Sequence, residues 1–346
     1  MILVTGAAGY IGSHFVRYYL RQNPEFDLVA VDNLSLGNAL SLDSSSSKRI
    51  HFYNAAIGDP VAVDKIFASH QIDAVVHFAA NAYVGESQTK PFKYFENNVC
   101  ETLRFLRSMQ QAQVKKVVFS STCATYGNPC YVPIDEKHPQ KPINTYGSTK
   151  LMIEEALRAL ALSVQIKYVC LRYFNAAGAD PNPADGQEIG ESHEPESHLI
   201  PLAISAALNL DSKNNRLKVF GNDYETADGT CVRDYIHVND LAEAHCLALK
   251  LLDNENFCGD MEESNKLGLA LNLGTAHGAS VNEVIAAVES VTGKTVPFDL
   301  VDRRPGDPPA LVADYSKAAK VLSWQPQFDL KQTVESAYNW EMKRRY

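Results

Sequence analysis

The stretch Ile2–Gly12 reads ILVTGAAGYIG, and it decides the fold of this chain. A short apolar run passes directly into a turn with G-x-x-G-x-x-G spacing, and a helical pattern follows at once. The three glycines are Gly6, Gly9 and Gly12. Glycines permit a tight turn and let backbone N–H groups approach an anion, which the positive end of a helix dipole also favours. A strand, a glycine turn and a helix in this order predict a site for the pyrophosphate of a dinucleotide.

Outward from this turn, short apolar runs alternate with helical patterns. The runs are almost continuously apolar, which is typical of strands buried on both faces of a parallel sheet. We predict strands at Ile2–Thr5, Asp27–Val31, His51–Asn54, Ala74–Ala79, Lys116–Ser120 and Gln165–Arg172, with helices at Ile11–Gln22, Ala62–His70 and Leu103–Gln111. This alternation favours a doubly wound α/β sheet.

The second half is less regular and predicts a smaller α/β domain interwoven with the sheet domain. Its segments are an acidic loop (Asp180–Ser197), helices at Leu202–Leu210 and Val281–Thr292, a Gly/Asp-rich stretch (Gly221–Thr230) and a polar insert (Asp253–Lys266). We place the sheet domain at residues 1–174, with segments returning to it around 234–276. Residues 175–346 then form mainly the substrate-binding domain.

Composition narrows the class of function. The 346 residues carry a net charge of −9, which argues against nucleic acid as a partner and requires a few placed cations for any anionic ligand. The seven cysteines are irregularly spaced, as in a protein with reduced thiols. The chain starts directly as a strand and has no apolar run near ~18 residues, so we expect a cytoplasmic protein without a membrane span. The histidines show no metal-ligand spacing, and we expect no metal.

An acidic residue at the end of the second strand selects the nucleotide. Asp32 lies 20 residues after Gly12, where a carboxylate can accept both ribose hydroxyls of an adenosine. It would repel a 2′-phosphate, and the next residues, Asn33–Ser35, supply no arginine to bind one. NAD is therefore favoured over NADP.

A second motif, Y-G-S-T-K, places Tyr146 four residues before Lys150 at the start of a predicted helix, Leu151–Leu160. This spacing puts both side chains on one helical face. A phenol has a pKa near ~10, but a nearby ammonium or an oxidised nicotinamide favours the phenolate. Such a tyrosine can take a proton from an alcohol as hydride leaves the carbon. The hydroxyl cluster Ser120–Thr122 ends a parallel strand nearby and offers a hydroxyl to the same oxygen.

These motifs together resemble the extended short-chain dehydrogenase/reductase superfamily, and within it the UDP-glucose 4-epimerases. The strings that carry the resemblance span nearly the whole chain: TGAAGYIGSH, VDNLS, HFAANAYVGES, ENNV, FSSTCATYG, NTYGSTK, LRYFNAAGA, FGNDYETADGTCVRDYIHV and RRPGD. The resemblance implies a Rossmann-type doubly wound parallel sheet with a smaller α/β substrate-binding domain, NAD as cofactor and a UDP-sugar as substrate. It also implies an isomerase that interconverts UDP-galactose and UDP-glucose through a 4-keto intermediate with transient NAD reduction. A homodimer is implied, through helices near Phe92–Arg107 and Leu151–Leu160.

The resemblance also assigns the site residues. The catalytic residues are Thr122, Tyr146 and Lys150. The cofactor-binding residues are Gly6, Gly9, Tyr10, Ile11, Gly12, Asp32, Asn33, Asp59, Phe78, Ala79, Ala80, Asn98, Ser120, Tyr146, Lys150 and Tyr173. The substrate-binding residues are Thr122, Asn175, His198, Leu199, Arg233, Arg304, Asp307 and Leu311.

Three positions depart from the family pattern or vary within it. Ala82 stands where some relatives have a lysine, so one cofactor phosphate contact is in doubt, and His198 stands where many have asparagine. Leu311 occupies a position that varies in size and is linked to N-acetylated sugars, so acceptance of those sugars stays open.

Three other functions compete with the epimerase. A 4,6-dehydratase needs Asp-Glu directly after the threonine of the hydroxyl cluster, whereas this chain has Cys123 and Ala124, which are not carboxylic acids. A UDP-uronic acid 4-epimerase or decarboxylase needs a cation for the sugar carboxylate, and no extra candidate is obvious. A non-catalytic NAD sensor on the same fold tends to lose the Tyr/Lys pair, which this chain keeps.

Overall fold

The computed structural model describes residues 1–43, 46–183, 188–210, 216–255, 257, 259, 267–304 and 306–346. Its strands are β1 (Ile2–Thr5), β2 (Leu28–Asp32), β3 (Ile50–Asn54), β4 (Ala74–His77), β5 (Lys116–Thr122), β6 (Lys167–Tyr173), β7 (Asn175–Ala177), β8 (Leu217–Phe220), β9 (Val232–His237), β10 (Gly268–Leu273), β11 (Gly278–Ser280), β12 (Phe298–Val301) and β13 (Ala310–Leu311). Its α-helices are α1 (Tyr10–Gln22), α2 (Pro60–Ser69), α3 (Val84–Thr89), α4 (Pro91–Tyr94), α5 (Thr102–Gln111), α6 (Thr145–Val164), α7 (Leu199–Leu208), α8 (Val238–Asp253), α9 (Val281–Thr292), α10 (Ser316–Leu322) and α11 (Leu330–Met342).

The large sheet has seven parallel strands in the order β10-β6-β5-β4-β1-β2-β3. The strand order reverses between β1 and β4, and ligands of open α/β sheets bind at the carboxyl ends of the strands beside such a point. The predicted doubly wound parallel sheet is confirmed.

Helices cover both faces of this sheet because its side chains alternate between two apolar cores. Val4 of β1 packs in the core that includes residues of α1, α8 and α10. Its neighbour Leu3 packs in the core built with α2, α5 and α6. Burial on both faces explains why the strands read as continuous apolar runs.

The smaller part is built on two short sheets. Strand β9 pairs with β7, β11 and β13, and β8 pairs with β12. Helices α7, α9 and α11 enclose a third core on these strands. The chain then returns to the large sheet, where α8 packs in the α1 core and β10 pairs with β6.

All six predicted strands form, with ends shifted by a few residues. Helix α6 begins at Thr145, before the predicted Leu151, because Asn144 caps it by accepting a hydrogen bond from Gly147 N at 2.8 Å. Helix α8 and a π-helical segment, Phe95–Glu101, were not predicted. Residues 184–187 of the acidic loop and most of the polar insert, including Cys258, lie outside the described residues. Among the helices that the structure describes, none is long and apolar enough to cross a bilayer.

A buried ion pair ties the central strands to α6. Arg172 of β6 and Glu154 of α6 meet at 2.5 Å with side chains only 4% and 3% exposed. The Glu154 carboxylate also accepts a hydrogen bond from Ser121 of β5, and Arg172 donates to the Tyr126 hydroxyl at 3.0 Å. Two strands and one helix therefore converge on a single carboxylate.

Replacing Arg172 with methionine should destabilise the protein by about 3–5 kcal/mol, because Glu154 would stay buried without a counter-charge. The free energy of unfolding from urea titration measures the effect. The matched control is Lys116→Met, since Lys116 pairs with Asp253 at the surface, where the pair is 31% and 65% exposed. This control should change stability by less than ~1 kcal/mol. Equal losses in the two variants would contradict a structural role for the buried pair.

Candidate active site

A cavity of about 1500 Å³ opens at the carboxyl edge of the large sheet and extends to the smaller part. It is lined by the glycine turn, the ends of β2, β5 and β6, the first turns of α6 and α7, and residues of β9 and β13. Ligand pockets for small molecules have volumes of roughly 300–1,000 Å³. This cavity therefore has room for more than one small ligand.

The glycine turn forms a cradle for an anion. Gly6 adopts φ +66°, and a Cβ there would lie 2.6 Å from Ala79 N. A Cβ on Gly12 would lie 2.1 Å from Gly6 O, so only glycine allows α1 to approach the turn this closely. Gly9 caps α1 without a side-chain hydrogen bond, and the first turn holds no acidic residue. The positive end of α1 faces the cavity with no side-chain anion of its own, which fits a bound pyrophosphate.

Asp32 lies beside this cradle at the end of β2. Its two carboxylate oxygens accept hydrogen bonds from Ala8 N at 3.0 Å and Leu34 N at 2.8 Å. Burial raises the pKa of Asp32, while these backbone donors lower it. Gly9 N is a third backbone donor, and the carboxylate fixed in this way lies on the cavity wall, where ribose hydroxyls can reach it.

Most residues expected at the cofactor lie on the cavity wall, but two do not. The wall includes Gly6, Gly9, Tyr10, Ile11, Gly12, Asp32, Asn33, Phe78, Ala79, Ala80, Ser120, Tyr146, Lys150 and Tyr173. Asp59 instead caps α2, accepting hydrogen bonds from Val61 N and Ala62 N. The side-chain amide of Asn98 makes hydrogen bonds of 2.8 to 3.1 Å with Asn81 and Thr149. Both side chains have structural partners that their position in the sequence does not reveal.

The wall also contains residues that the sequence analysis did not name. Ala55 and Ile57 follow β3 and line the cavity beside Asp32. Their place directly after a parallel strand is the signal that could have found them. Ala82 lies on the same wall.

Tyr146 lies in the first turn of α6 and is 9% exposed. Burial raises the pKa of its phenol well above the ordinary value, Tyr173 adds to the rise, and hydrogen bonding to Thr122 lowers it. Thr122 ends β5 on the same wall, so the predicted hydroxyl and phenol are neighbours.

Lys150 lies one turn further along α6 and is 3% exposed. Its Nζ donates to the Ser120 carbonyl at 2.7 Å and lies 5.9 Å from the Tyr146 ring centroid. Burial lowers the pKa of Lys150 to about 7, although the Glu154 carboxylate opposes the fall. The lysine is therefore poised to gain charge when an anion or a polar ligand arrives.

All residues expected at the substrate line the same cavity: Thr122, Asn175, His198, Leu199, Arg233, Arg304, Asp307 and Leu311. Arg233 is 9% exposed and donates to Asp307 Oδ1 at 2.5 Å and to its neighbour's carbonyl at 2.7 Å. Asp307 thus orients Arg233 rather than facing a ligand alone. The guanidinium of Arg304 lies 3.9 Å from the Phe220 ring centroid. Two placed cations in an acidic chain suit an anionic ligand.

The loop before α7 brings together a group that the sequence did not predict. Glu191, His193, Glu196 and His198 place one ligand atom each within 4.8 Å of one another. Spacings of two and three residues in a loop carry no periodic signal, so only the folded loop reveals this cluster.

Comparison with known proteins agrees with this geometry. A family model, the NAD dependent epimerase/dehydratase family, matches residues 2–257. The chain belongs to this family.

Several relatives in the family are similar over nearly their whole length. A UDP-glucose 4-epimerase of Halalkalibacterium halodurans is 47% identical over 98% of this chain and 95% of its own length. The crystal structure of a UDP-glucose 4-epimerase from Brucella ovis in complex with NAD is 42% identical, with a TM-score of 0.87, and the match covers 98% of this chain and 97% of that one. A UDP-glucose 4-epimerase from Bifidobacterium longum, solved with NAD⁺ and UDP, is 36% identical with a TM-score of 0.89 over 99% and 98% of the two chains.

Membership in this family makes NAD the cofactor to test against the site, and the residues present fit it. The uncapped end of α1, the close-packed glycines and the fixed Asp32 carboxylate match a pyrophosphate and a ribose. The positions after Thr122 hold Cys123 and Ala124 on the same wall, so this part of the family site lacks the carboxylic acids of a dehydratase.

The depressed pKa of Lys150 predicts a pH-dependent stability of the cofactor-free protein. Folding lowers this pKa from 10.5 to about 7, so the unfolded chain binds one more proton between these values. Stability should therefore rise with pH through this window, by up to about 1.4 kcal/mol per pH unit, relative to Lys150→Met. Urea titrations of both proteins at several pH values measure the difference. A difference that does not change with pH would show that Lys150 keeps its ordinary pKa.

Proposed function

We propose that this chain is a UDP-glucose 4-epimerase, an isomerase that interconverts UDP-galactose and UDP-glucose through a 4-keto intermediate with transient reduction of NAD. The observation that carries the proposal is the placement of Tyr146, Thr122 and Lys150 in one cavity with both the glycine cradle and Arg233. An alcohol oxidation site thereby lies between a dinucleotide site and cations for a diphosphate. The three similar proteins described above are UDP-glucose 4-epimerases, and their names support the same reaction.

The cradle at Gly6–Gly12 would hold the NAD pyrophosphate, and Asp32 would accept the adenosine ribose hydroxyls. When bound, NAD would accept hydride from sugar C4 and return it, and its oxidised ring would add positive charge beside Tyr146. Lys150, held by the Ser120 carbonyl, would hydrogen-bond the nicotinamide ribose and stabilise the phenolate. We assign residues 1–174 and the returning segments around 234–276 to this cofactor part, and mainly 175–346 to the substrate.

Tyr146 moves the proton in this mechanism. As a phenolate it would take the proton of the C4 hydroxyl while Thr122 hydrogen-bonds the reacting oxygen. Burial makes the phenolate costly, so the positive charge has to come from groups that gather when the ligands bind. In the reverse step hydride would return to the opposite face of C4, and the same phenol would give the proton back to the C4 oxygen.

Inversion requires that the nucleotide stays while the sugar turns. Arg233 and Arg304 would bind the diphosphate, with Asp307 keeping Arg233 in position, and Asn175, His198 and Leu199 would line the same ligand. Anchors on the phosphates leave the 4-keto sugar free to rotate about its link to the diphosphate. Leu311 pairs with Arg233 in the β13–β9 register. Its side chain would limit the size of the sugar substituent, such as an N-acetyl group, that the site accepts.

The direct experiment incubates the purified protein with UDP-galactose, and separately with UDP-N-acetylgalactosamine, without added reductant. NMR follows the configuration at C4, and absorbance follows any net NADH. Inversion of the first sugar without net NADH supports the proposal, and the second substrate decides whether N-acetylated sugars pass Leu311. If neither sugar inverts while NAD is bound, the proposal fails, and a UDP-uronic acid 4-epimerase or decarboxylase, or a non-catalytic NAD sensor, takes its place.

Removing the proton acceptor should abolish most of this activity. Tyr146→Phe should lower kcat by about 10²–10⁴-fold, because a phenyl ring exchanges no proton. The rate of UDP-galactose inversion measures the loss. The matched control is Tyr131→Phe, since Tyr131 is exposed and its hydroxyl bonds Asp135 at 2.6 Å, so this variant should keep full activity. Similar rates in both variants would remove Tyr146 from the mechanism.

We propose that two chains associate through α4, α5 and α6. Phe92 is 86% exposed, and Leu103 and Met152, on the proposed interface helices, are 43% and 46% exposed. Apolar groups of this size on neighbouring helices are typical of an interface. Sedimentation should give twice the mass of one chain, and Phe92→Asp should shift the measured mass toward that of a single chain.

We also propose a cytoplasmic location, supported by the free state of the six described cysteines.

A further inference from the structure

The loop between β7 and α7 carries four side chains that point their donor atoms at one another. His198 Nδ1 lies 2.6 Å from Glu191 Oε1 and 3.0 Å from Glu196 Oε1. His193 Nδ1 lies 2.9 Å from Glu191 Oε1 and 3.8 Å from Glu196 Oε2. Two imidazole nitrogens therefore alternate with two carboxylates around a common centre. We call these four residues the Glu191–His198 cluster.

This donor set suits a transition metal. Zn²⁺ is commonly held by three or four ligands of imidazole nitrogen and carboxylate oxygen, each near 2.0–2.2 Å from the ion. Ligand atoms around such an ion lie roughly 3–4 Å apart, as tetrahedral geometry at that radius requires. The four nitrogen–oxygen separations, 2.6 to 3.8 Å, bracket this value, and the shortest would have to widen by roughly 1 Å to admit the ion. Hard cations such as Mg²⁺ prefer oxygen ligands and would not use two imidazoles.

The charges around the cluster favour a cation. Glu191 is 5% exposed, and Glu196 lies beside it. Both carboxylates lie within ion-pair distance of the two imidazoles, so the cluster offers two negative charges that attract a divalent ion.

The loop is held in place by the carboxyl-terminal segment rather than by the cluster itself. Trp340 of α11 donates its indole N–H to the Glu191 carbonyl at 2.8 Å, and Ser192 bonds the Tyr346 carbonyl at 3.2 Å. A Cβ on Gly190 would lie 2.3 Å from the Trp340 ring, so a glycine is needed for this contact. A backbone fixed from outside presents its side chains in a preset arrangement, as a metal site requires.

A buried hydroxyl next to the cluster lacks a partner. Within the described part of the chain, the Tyr83 hydroxyl is buried and makes no hydrogen bond. Its ring lies edge-on to His193 with centroids 5.5 Å apart. A water on a metal ion would supply the missing partner.

We propose that Glu191, His193, Glu196 and His198 bind a divalent transition-metal ion of the Zn²⁺ class at the wall of the substrate cavity. The proposal does not rest on the epimerase reaction, although His198 is shared with the residues assigned to the substrate. The four side chains line the cavity, so an ion has a path to them.

The test measures binding of Zn²⁺ to the purified full chain after removal of metals with a chelator. Calorimetry should show one saturable site per chain, and Co²⁺ in its place should give the intense visible absorption of a four- or five-coordinate ion. His193→Ala and Glu196→Gln should each weaken Zn²⁺ binding by at least ~100-fold, since loss of even an outer-shell partner costs 10–100-fold. Circular dichroism on heating shows whether each variant is folded.

The matched control is His51→Ala. His51 is a partly exposed histidine whose ring lies 5.0 Å from that of His70 and whose Nε2 lies 3.2 Å from Asp27. This second His/His/Asp surface would also bind zinc if exposed histidines were sufficient, so the control should bind as the unchanged protein does. Absence of saturable binding, or equal affinity in folded His193→Ala and unchanged protein, would overturn the proposal. Failure of the epimerase assay would leave this outcome unaffected, because binding is read without turnover.

Discussion

The buried carboxylate of Glu154 is the point on which the geometry of the cavity depends. It bonds Arg172 of β6 and Ser121 of β5 from within α6, so it fixes the distance between the helix and the two strands. Ser121 stands between Ser120, which holds Lys150, and Thr122, which bonds Tyr146. A buried ion pair adds little net stability over apolar residues, but it is costly to break. The ion pair therefore serves to position the site, because Tyr146 and Thr122 lie on the helix and on a strand that Glu154 holds together.

Burial shifts the pKa values of the two titratable groups of this site in opposite directions. It raises the pKa of Tyr146 and lowers that of Lys150 to about 7, so near neutral pH the phenol of the cofactor-free protein is neutral and the amine about half charged. A neutral phenol beside a half-charged amine is a weak base. Charge that arrives with the ligands then decides reactivity, since a nearby cation favours the phenolate. The site would therefore be reactive only when both ligands fill it.

The sequence predicts the sheet well because burial on both faces leaves a continuous apolar signal in every central strand. It predicts the cradle for the same kind of reason, since close packing of α1 on the turn admits only glycine at Gly12. It does not reveal the partners of Asn98, whose amide bonds Asn81 and Thr149, because partners far apart in the chain leave no local pattern. Nor does it reveal the Glu191–His198 cluster, whose loop is bonded by Trp340, far along the chain.

The cavity combines cations and anions that serve different parts of a ligand. Arg233 and Arg304 suit a diphosphate, whereas Glu191 and Glu196 would repel one. His198 lies on the same wall, where it is half-exposed and paired with both glutamates. In the protonated state it can donate a hydrogen bond to a ligand while it screens the carboxylates from the phosphates. An ion on the cluster would take over that screening and engage His198 at the same time. The proton and the metal are therefore alternative solutions to one electrostatic constraint, which is to place a dianionic nucleotide next to a buried acidic loop.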